Sequence, residues 1–317
     1  MRTSAHHQGI TAALASAVFL GSVPILGKVA ILSGFSPLAV IALRSGIAVI
    51  LMSIAMLFWM RPFFYIYPVG LIGCLLAGMI NGVGSILYYT ALGRLEAGIG
   101  QMLYSLYPLF VALWLLLDRQ TITRLTAFRL GLSIPAVMLL LVHPTRAIDL
   151  AGSMMMIGSA ALYALHLLIN QRILIDVPAP TVTFYTLLSM AATVEIAFLI
   201  FDHHLPSPQV AWWAAFAMAL ITFLSRITLF MGVKKLGGLQ TSLLGLSEVL
   251  LTVFLSIAFL GEHFSPQQWL GAALLAISLL LVGLDKIPPQ KRAGTGWLSW
   301  LNPPSIPASE PPWNSQL

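Results

Sequence analysis

The sequence predicts an all-α integral membrane protein whose ten transmembrane helices form two inverted five-helix repeats. Three observations predict it. Hydrophobic residues make up 59% of the chain and charged residues only 8%, against roughly 25% charged in an ordinary soluble domain, so a water-soluble fold could not cover this much apolar surface. Ten apolar runs approach or reach the roughly 20 residues that a helix needs to cross a bilayer. The second half of the chain also repeats features of the first at an offset of about 140 residues.

The runs are 10–32, 37–59, 68–92, 97–117 and 125–142 in the first half, and 152–170, 180–201, 210–233, 239–260 and 269–284 in the second. They are continuous and lack the alternation of a membrane barrel strand, so they read as helices. Arg2, His6 and His7 precede the first run in the manner of a secretory signal. Gly21, Pro24 and Lys28 interrupt that run and nine similar runs follow, so it reads as a retained first helix. The linkers are short and rich in helix breakers, as in Ser33-Gly34-Phe35-Ser36, Gly93-Arg94-Leu95-Glu96 and Gly261-Glu262-His263-Phe264-Ser265-Pro266. None has room for a domain outside the membrane. The expected units are therefore 9–144, 150–286 and a Pro-rich cytoplasmic tail, 287–317, with Trp297, Trp300 and Trp313.

Cytoplasmic loops carry an excess of Lys and Arg. With the N-terminus inside, eleven of the sixteen basic residues fall on the inner side (Arg2, Arg61, Arg119, Arg124, Arg129, Arg172, Lys234, Lys235, Lys286, Lys291, Arg292) and two, Arg94 and Arg146, on the outer. Both termini are expected in the cytoplasm, with the chain in the cell (inner) membrane.

The internal repeat aligns Ala91-Leu92-Gly93-Arg94 with Met231-Gly232-Val233-Lys234 and Gly131 with Gly271. Its unit is five helices, an odd number, so the second copy enters the membrane from the opposite side. Inverted repeats recur in transporters because a site between the halves can open to either face.

Charges within a bilayer are costly, which makes the intramembrane ones candidates for function. Lys28, near the outer end of the first run, either snorkels to the interface or serves a gate. Arg44 lies about two turns into the second run, where it either ties helices together or meets a solute. Arg226 and Glu248 fall at similar depth in successive helices and are expected to pair, either as a fixed ion pair or as one that opens to a charged solute. Glu195, near a helix end, reads as snorkelling, and His166 as a hydrogen-bonded packing residue. Asn81 sits within Gly78-x-x-x-Gly82, a close-packing pattern, and its amide needs a partner. Tyr88, Tyr89, Tyr104 and Tyr107 gather near the turn after the third run, as an aromatic vestibule or as interfacial anchors. Pro108 breaks the helix beyond them. Trp114, Trp212, Trp213 and Trp269 read as belt residues. Cys74 is apolar filler, and the Met154-Met155-Met156 run a packing surface.

Enzyme signatures are absent: there is no H-E-x-x-H, no G-x-S-x-G and no G-x-x-x-x-G-K-[ST]. No cofactor, metal or nucleic-acid partner is expected, because basic residues are scattered between apolar runs and do not form one exposed face.

Phe19-Leu20-Gly21-Ser22, Lys28, Ser36-Pro37, Arg44, Tyr89-x-Ala91-Leu92, Pro108, Phe259-Leu260-Gly261-Glu262 and Gly271 together resemble the EamA family of the drug/metabolite transporter superfamily, over about residues 9–284. The resemblance implies a ten-helix secondary transporter with a central cavity that carries small organic solutes, often by export. Two departures stand out: the Leu-Gly-Glu that ends the ninth run has no matching acid after the fourth, where Asp118 falls early and Thr121 or Ile122 takes the aligned place, and Glu248 precedes Val249 where the family often has proline. The expected function is secondary transport, with export of a small organic metabolite such as an amino acid by alternating access. Arg44, Asn81, Tyr104, Arg226 and Glu248 are the expected solute-binding residues, and Lys28, Pro108 and Glu262 the gating or structural ones. The lipid bilayer is the other partner, and the driving force is the solute gradient or a coupled proton. The competing reading is a non-transporting assembly or scaffold protein, whose intramembrane charges would serve helix contacts alone.

Overall fold

Hydrocarbon offers backbone amides no hydrogen-bond partners, so an apolar chain in a bilayer satisfies them within helices. The computed structural model describes residues 2–117, 124–141, 149–202, 212–236 and 246–281, and its described elements are helical. In chain order they are α1 (Arg2–Leu32), α2 (Pro37–Trp59), a short 3₁₀ turn (Arg61–Phe64), α3 (Pro68–Arg94), α4 (Ala97–Tyr104), α5 (Tyr107–Leu117), α6 (Arg124–Leu141), α7 (Leu150–Ile173), α8 (Ala179–Phe201), α9 (Trp212–Leu236), α10 (Leu246–Leu260) and α11 (Pro266–Leu280). Seven described spans are long and apolar enough to cross a membrane, α4 and α5 together forming one of them. The shorter α10 is apolar over Glu248–Leu260. The expected tail, 287–317, lies outside the described residues.

Local chemistry sets the helix ends. Ser36 caps α2, its Oγ accepting from Ala39 N at 3.0 Å, with Pro37 in the first turn where its missing N–H costs nothing. Asp149 caps α7 by accepting from Gly152 N at 2.8 Å. Gly261, at φ 65°, ends α10 in the left-handed conformation that suits glycine. The fourth expected run is two helices: α4 stops at Tyr104 and α5 starts at Tyr107. Pro108 explains the stop, because it has no N–H to offer the Tyr104 carbonyl and its ring crowds that same carbonyl.

Packing runs chiefly between the two halves of the chain. α1 lies on α9 and α10, α2 on α8 and α9, α3 on α7 and α8, α4 on α7 and α10, α5 on α7, and α6 on α11. Small residues bring these helices together. A Cβ at Gly78 would collide with Thr186 O and stand 2.6 Å from Ser189 Cβ, and one at Gly82 would stand 2.8 Å from Thr193 Cβ, so the Gly78-x-x-x-Gly82 pattern seats α8 against α3. Gly21 does the same for α10, where a Cβ would be 2.8 Å from Glu248 O. The outside of the bundle is apolar, with Trp59 77% and Phe201 78% exposed, a surface suited to lipid and costly in water.

Candidate functional site

A cavity of about 60 Å³ lies where the halves meet. α1 contributes Leu20, Val23 and Pro24, and α2 contributes Arg44. α3 adds Asn81, Gly84, Ser85, Tyr88 and Tyr89, and α4 adds Tyr104. The second half supplies Ser159 and Tyr163 from α7, Arg226 from α9 and Glu248 from α10. All five residues expected from the sequence to bind solute line this one space.

The carboxylate and the two guanidiniums are bonded quite differently. Glu248 Oε1 accepts from Gln101 Nε2 at 2.7 Å, and Gln101 Oε1 accepts from Tyr88 OH at 2.9 Å. Arg44 donates from Nη1 to Tyr89 OH at 3.2 Å and sits 5.1 Å from the centre of that ring, a cation–π contact. Its Nε is buried without a hydrogen-bond partner. Arg226 makes two long contacts, Nη1 to His166 Nε2 at 3.4 Å and Nη2 to the Met190 sulfur at 3.8 Å. A guanidinium can only donate, so His166 Nε2 accepts there, and Nδ1 carries the proton toward Ala77 O at 3.0 Å. Asn81 Nδ2 shares the same sulfur at 3.0 Å.

Aromatic rings wall the cavity. Tyr89 meets Tyr88 at 5.2 Å between centroids, Tyr88 meets Tyr104 at 4.9 Å, Tyr104 meets Tyr163 at 5.4 Å and Tyr163 stacks on His166 at 5.8 Å. The spacings are those of favourable edge-to-face and offset pairs.

Four expectations are corrected or narrowed. Arg226 and Glu248 do not form an ion pair; among the described residues the pair found is Arg94–Asp149 at 2.9 Å. Similar depth in the membrane did not make them neighbours across it, because Gln101 already holds the carboxylate. Lys28 does not snorkel: its Nζ donates to Leu92 O at 2.8 Å and Leu95 O at 2.7 Å, satisfying carbonyls left open at the end of α3. The tyrosines are not interfacial anchors, since Tyr88, Tyr89 and Tyr107 are buried and Tyr104 lines the cavity. Trp114 likewise turns inward, its Nε1 donating to Ala161 O at 3.0 Å.

Glu262 lies away from the cavity, at the end of the bundle that carries the α3–α4 turn. Its carboxylate accepts from Ala97 N at 2.5 Å and Gly98 N at 2.8 Å, so a loop of the second half caps a helix of the first. Gly98 is required there, because a Cβ would strike Phe264 and stand 2.9 Å from Ser256 Oγ. At the same end Ser36 hydrogen-bonds Asp202, and Arg94 pairs with Asp149. The Gly152 amide and the Arg94 guanidinium hold the Asp149 carboxyl below its ordinary value.

Gln101 and Tyr163 were absent from the sequence-based set. An uncharged amide in the middle of an apolar run was the available signal for Gln101. Nothing in the sequence separates Tyr163 from any other buried aromatic residue.

The family model of the EamA-like transporter family matches residues 7–142 and again 150–284. A Bacillus subtilis (strain 168) protein named uncharacterized transporter YwfM is 29% identical over 145 residues, 43% of this chain and 46% of that protein. The match thus spans about half the length of that relative. A solved crystal structure, described only as that of a protein, has the same fold, with a TM-score of 0.61 at 20% identity over 90% of this chain and 98% of its own. A multi-pass membrane protein matched twice by one transporter model can be assigned: the chain belongs to the EamA-like transporter family of the drug/metabolite transporter superfamily.

Proposed function

We propose that this transporter moves a small polar or amphipathic organic solute, such as an amino acid, by alternating access, with export as its direction. The observation that carries the reading is the cavity. Arg44, Asn81 and Tyr104 from the first half meet Arg226 and Glu248 from the second in one space, and all but Tyr104 are more than nine-tenths buried. Charge buried in a bilayer is retained where a pathway needs it.

The reading includes ten crossings as two inverted repeats, 9–144 and 150–286. Reciprocal packing supports this. The contact of α1 with α9 has its counterpart in α7 with α3, that of α2 with α9 in α8 with α3, and that of α1 with α10 in α7 with α4 and α5. The α2–α8, α4–α10 and α6–α11 contacts are their own counterparts. Two copies related by a two-fold axis in the membrane plane would pack in this way, with the solute site at their interface.

Both termini are taken as cytoplasmic, in the cell membrane, which turns the α3–α4 and α10–α11 turns outward. Glu262 and Lys28 then brace the outer end of the bundle, and the break before Pro108 lets α4 tilt against α5 when that end opens. A cavity of about 60 Å³ has room for only a few waters, so a metabolite enters only as the halves part.

Proteoliposomes carrying wild type, Glu248→Gln or Arg226→Ala, offered a labelled metabolite panel with and without a pH gradient, test the proposal. Movement of a solute by wild type, lost in both folded variants, is the expected result, and a response to the gradient would add a coupled proton. Variants that transport like wild type would overturn the site assignment.

A further inference from the structure

Two guanidiniums against one carboxylate leave the cavity with one positive charge in excess. The other acids of the surrounding helices do not correct it: Glu195 lies beside Gly46, and Glu262 is bound to the α4 amides. Among the described residues neither guanidinium has a carboxylate within 4.0 Å, and the Nε of Arg44 has no hydrogen-bond partner. Arg44 is 6% and Arg226 7% exposed, so water does little to screen them. A buried charge without its counterpart is expensive, and a guanidinium's fork of donors matches the two oxygens of a carboxylate.

We propose that the solute is an organic carboxylate of net charge −1 with an aromatic or apolar body, its carboxylate held between Arg44 and Arg226. This rests on the cavity being the solute site. Gln101 Nε2 holds Glu248 Oε1 at 2.7 Å, and the carboxylate makes no ion pair with either guanidinium. The rings of Tyr88, Tyr89, Tyr104 and Tyr163 supply flat walls for the body. A zwitterion of the same size would bring no net charge and leave the excess positive charge buried.

Binding to the purified full-length chain in nanodiscs, measured calorimetrically, distinguishes these solutes with three probes of one skeleton. Hydrocinnamate carries one negative charge, hydrocinnamide none, and phenylalanine both signs. The expected result is hydrocinnamate binding about tenfold or more tightly than either of the others, the scale of a hydrogen-bonded charge. Arg44→Gln and Arg226→Gln should each weaken it about tenfold or more, and Glu248→Gln, which removes the one negative charge, should tighten it. Arg44→Lys, which keeps the charge without the fork, covers the case in which Arg44→Gln fails to fold, and should bind hydrocinnamate more weakly than wild type does. Equal or tighter binding of the amide or the amino acid, or no binding of hydrocinnamate, would overturn the proposal. Transport separates the two levels: a wild type that moves zwitterions unaffected by hydrocinnamate keeps the transport reading and loses this one, whereas bound hydrocinnamate with no solute moved does the reverse.

Discussion

The turn between α3 and α4 and the central cavity both bury charged side chains, and they satisfy them to opposite degrees. At the turn, Lys28 meets two carbonyls and Glu262 two amides, each within 2.8 Å. In the cavity, Arg44 keeps an unpartnered Nε, and Arg226 reaches only an imidazole and a sulfur, at 3.4 and 3.8 Å. Buried groups with complete partners hold a fold together, while groups left incomplete hold capacity for something else. The comparison separates two uses of intramembrane charge that the sequence presents alike.

The largest expected effect falls on the cavity. Arg44→Gln should reduce transport about tenfold or more while shifting thermal stability little, since the side chain gives up one 3.2 Å hydrogen bond and a cation–π contact. Transport assays paired with thermal unfolding would check it, and a large stability loss with intact transport would erase the contrast. Next comes Glu262→Ala, which strands two amides at a buried helix start and should cost about 2–4 kcal/mol, read as a fall in the unfolding midpoint. Gly78→Ala forces a methyl onto Thr186 O and Ser189 and should cost about 1–3 kcal/mol through overpacking. Lys28→Met frees the Leu92 and Leu95 carbonyls, and about 1–2 kcal/mol is expected in the same measurement.

The smallest effect concerns the exposed pair at the same end. Asp149 has its folded value depressed below 3.8, so its contribution is complete above that pH and is lost as pH falls through the lower folded value. Asp149→Asn should flatten the acid limb of stability below about pH 4, with little change at neutral pH. Unfolding midpoints across an acid series would measure it.

Much of this was legible in the sequence because charge is conspicuous against hydrocarbon. Arg44, Arg226 and Glu248 stand out in apolar runs, and Asn81 stands out beside two packing glycines. Partner identity was not legible. Depth along a run follows from counting residues, but which face of a helix meets which neighbour depends on its rotation, and so Glu248 found Gln101 where Arg226 was expected. The partners of Lys28 were illegible for a similar reason: backbone carbonyls at the end of α3 have no side-chain signature. Pro108 was placed correctly as a breaker, but the break it makes lies one turn earlier, at the carbonyl it cannot serve.

The contrast between Glu248 and Glu262 gives the most direct test. Each is changed to Gln, reconstituted in the same vesicles and measured for both unfolding midpoint and transport per folded molecule. A crossing is expected: Glu248→Gln stays stable and loses transport, whereas Glu262→Gln unfolds at lower temperature and still transports. The reverse pattern, a stable Glu262→Gln and a Glu248→Gln that unfolds easily but transports normally, would contradict it.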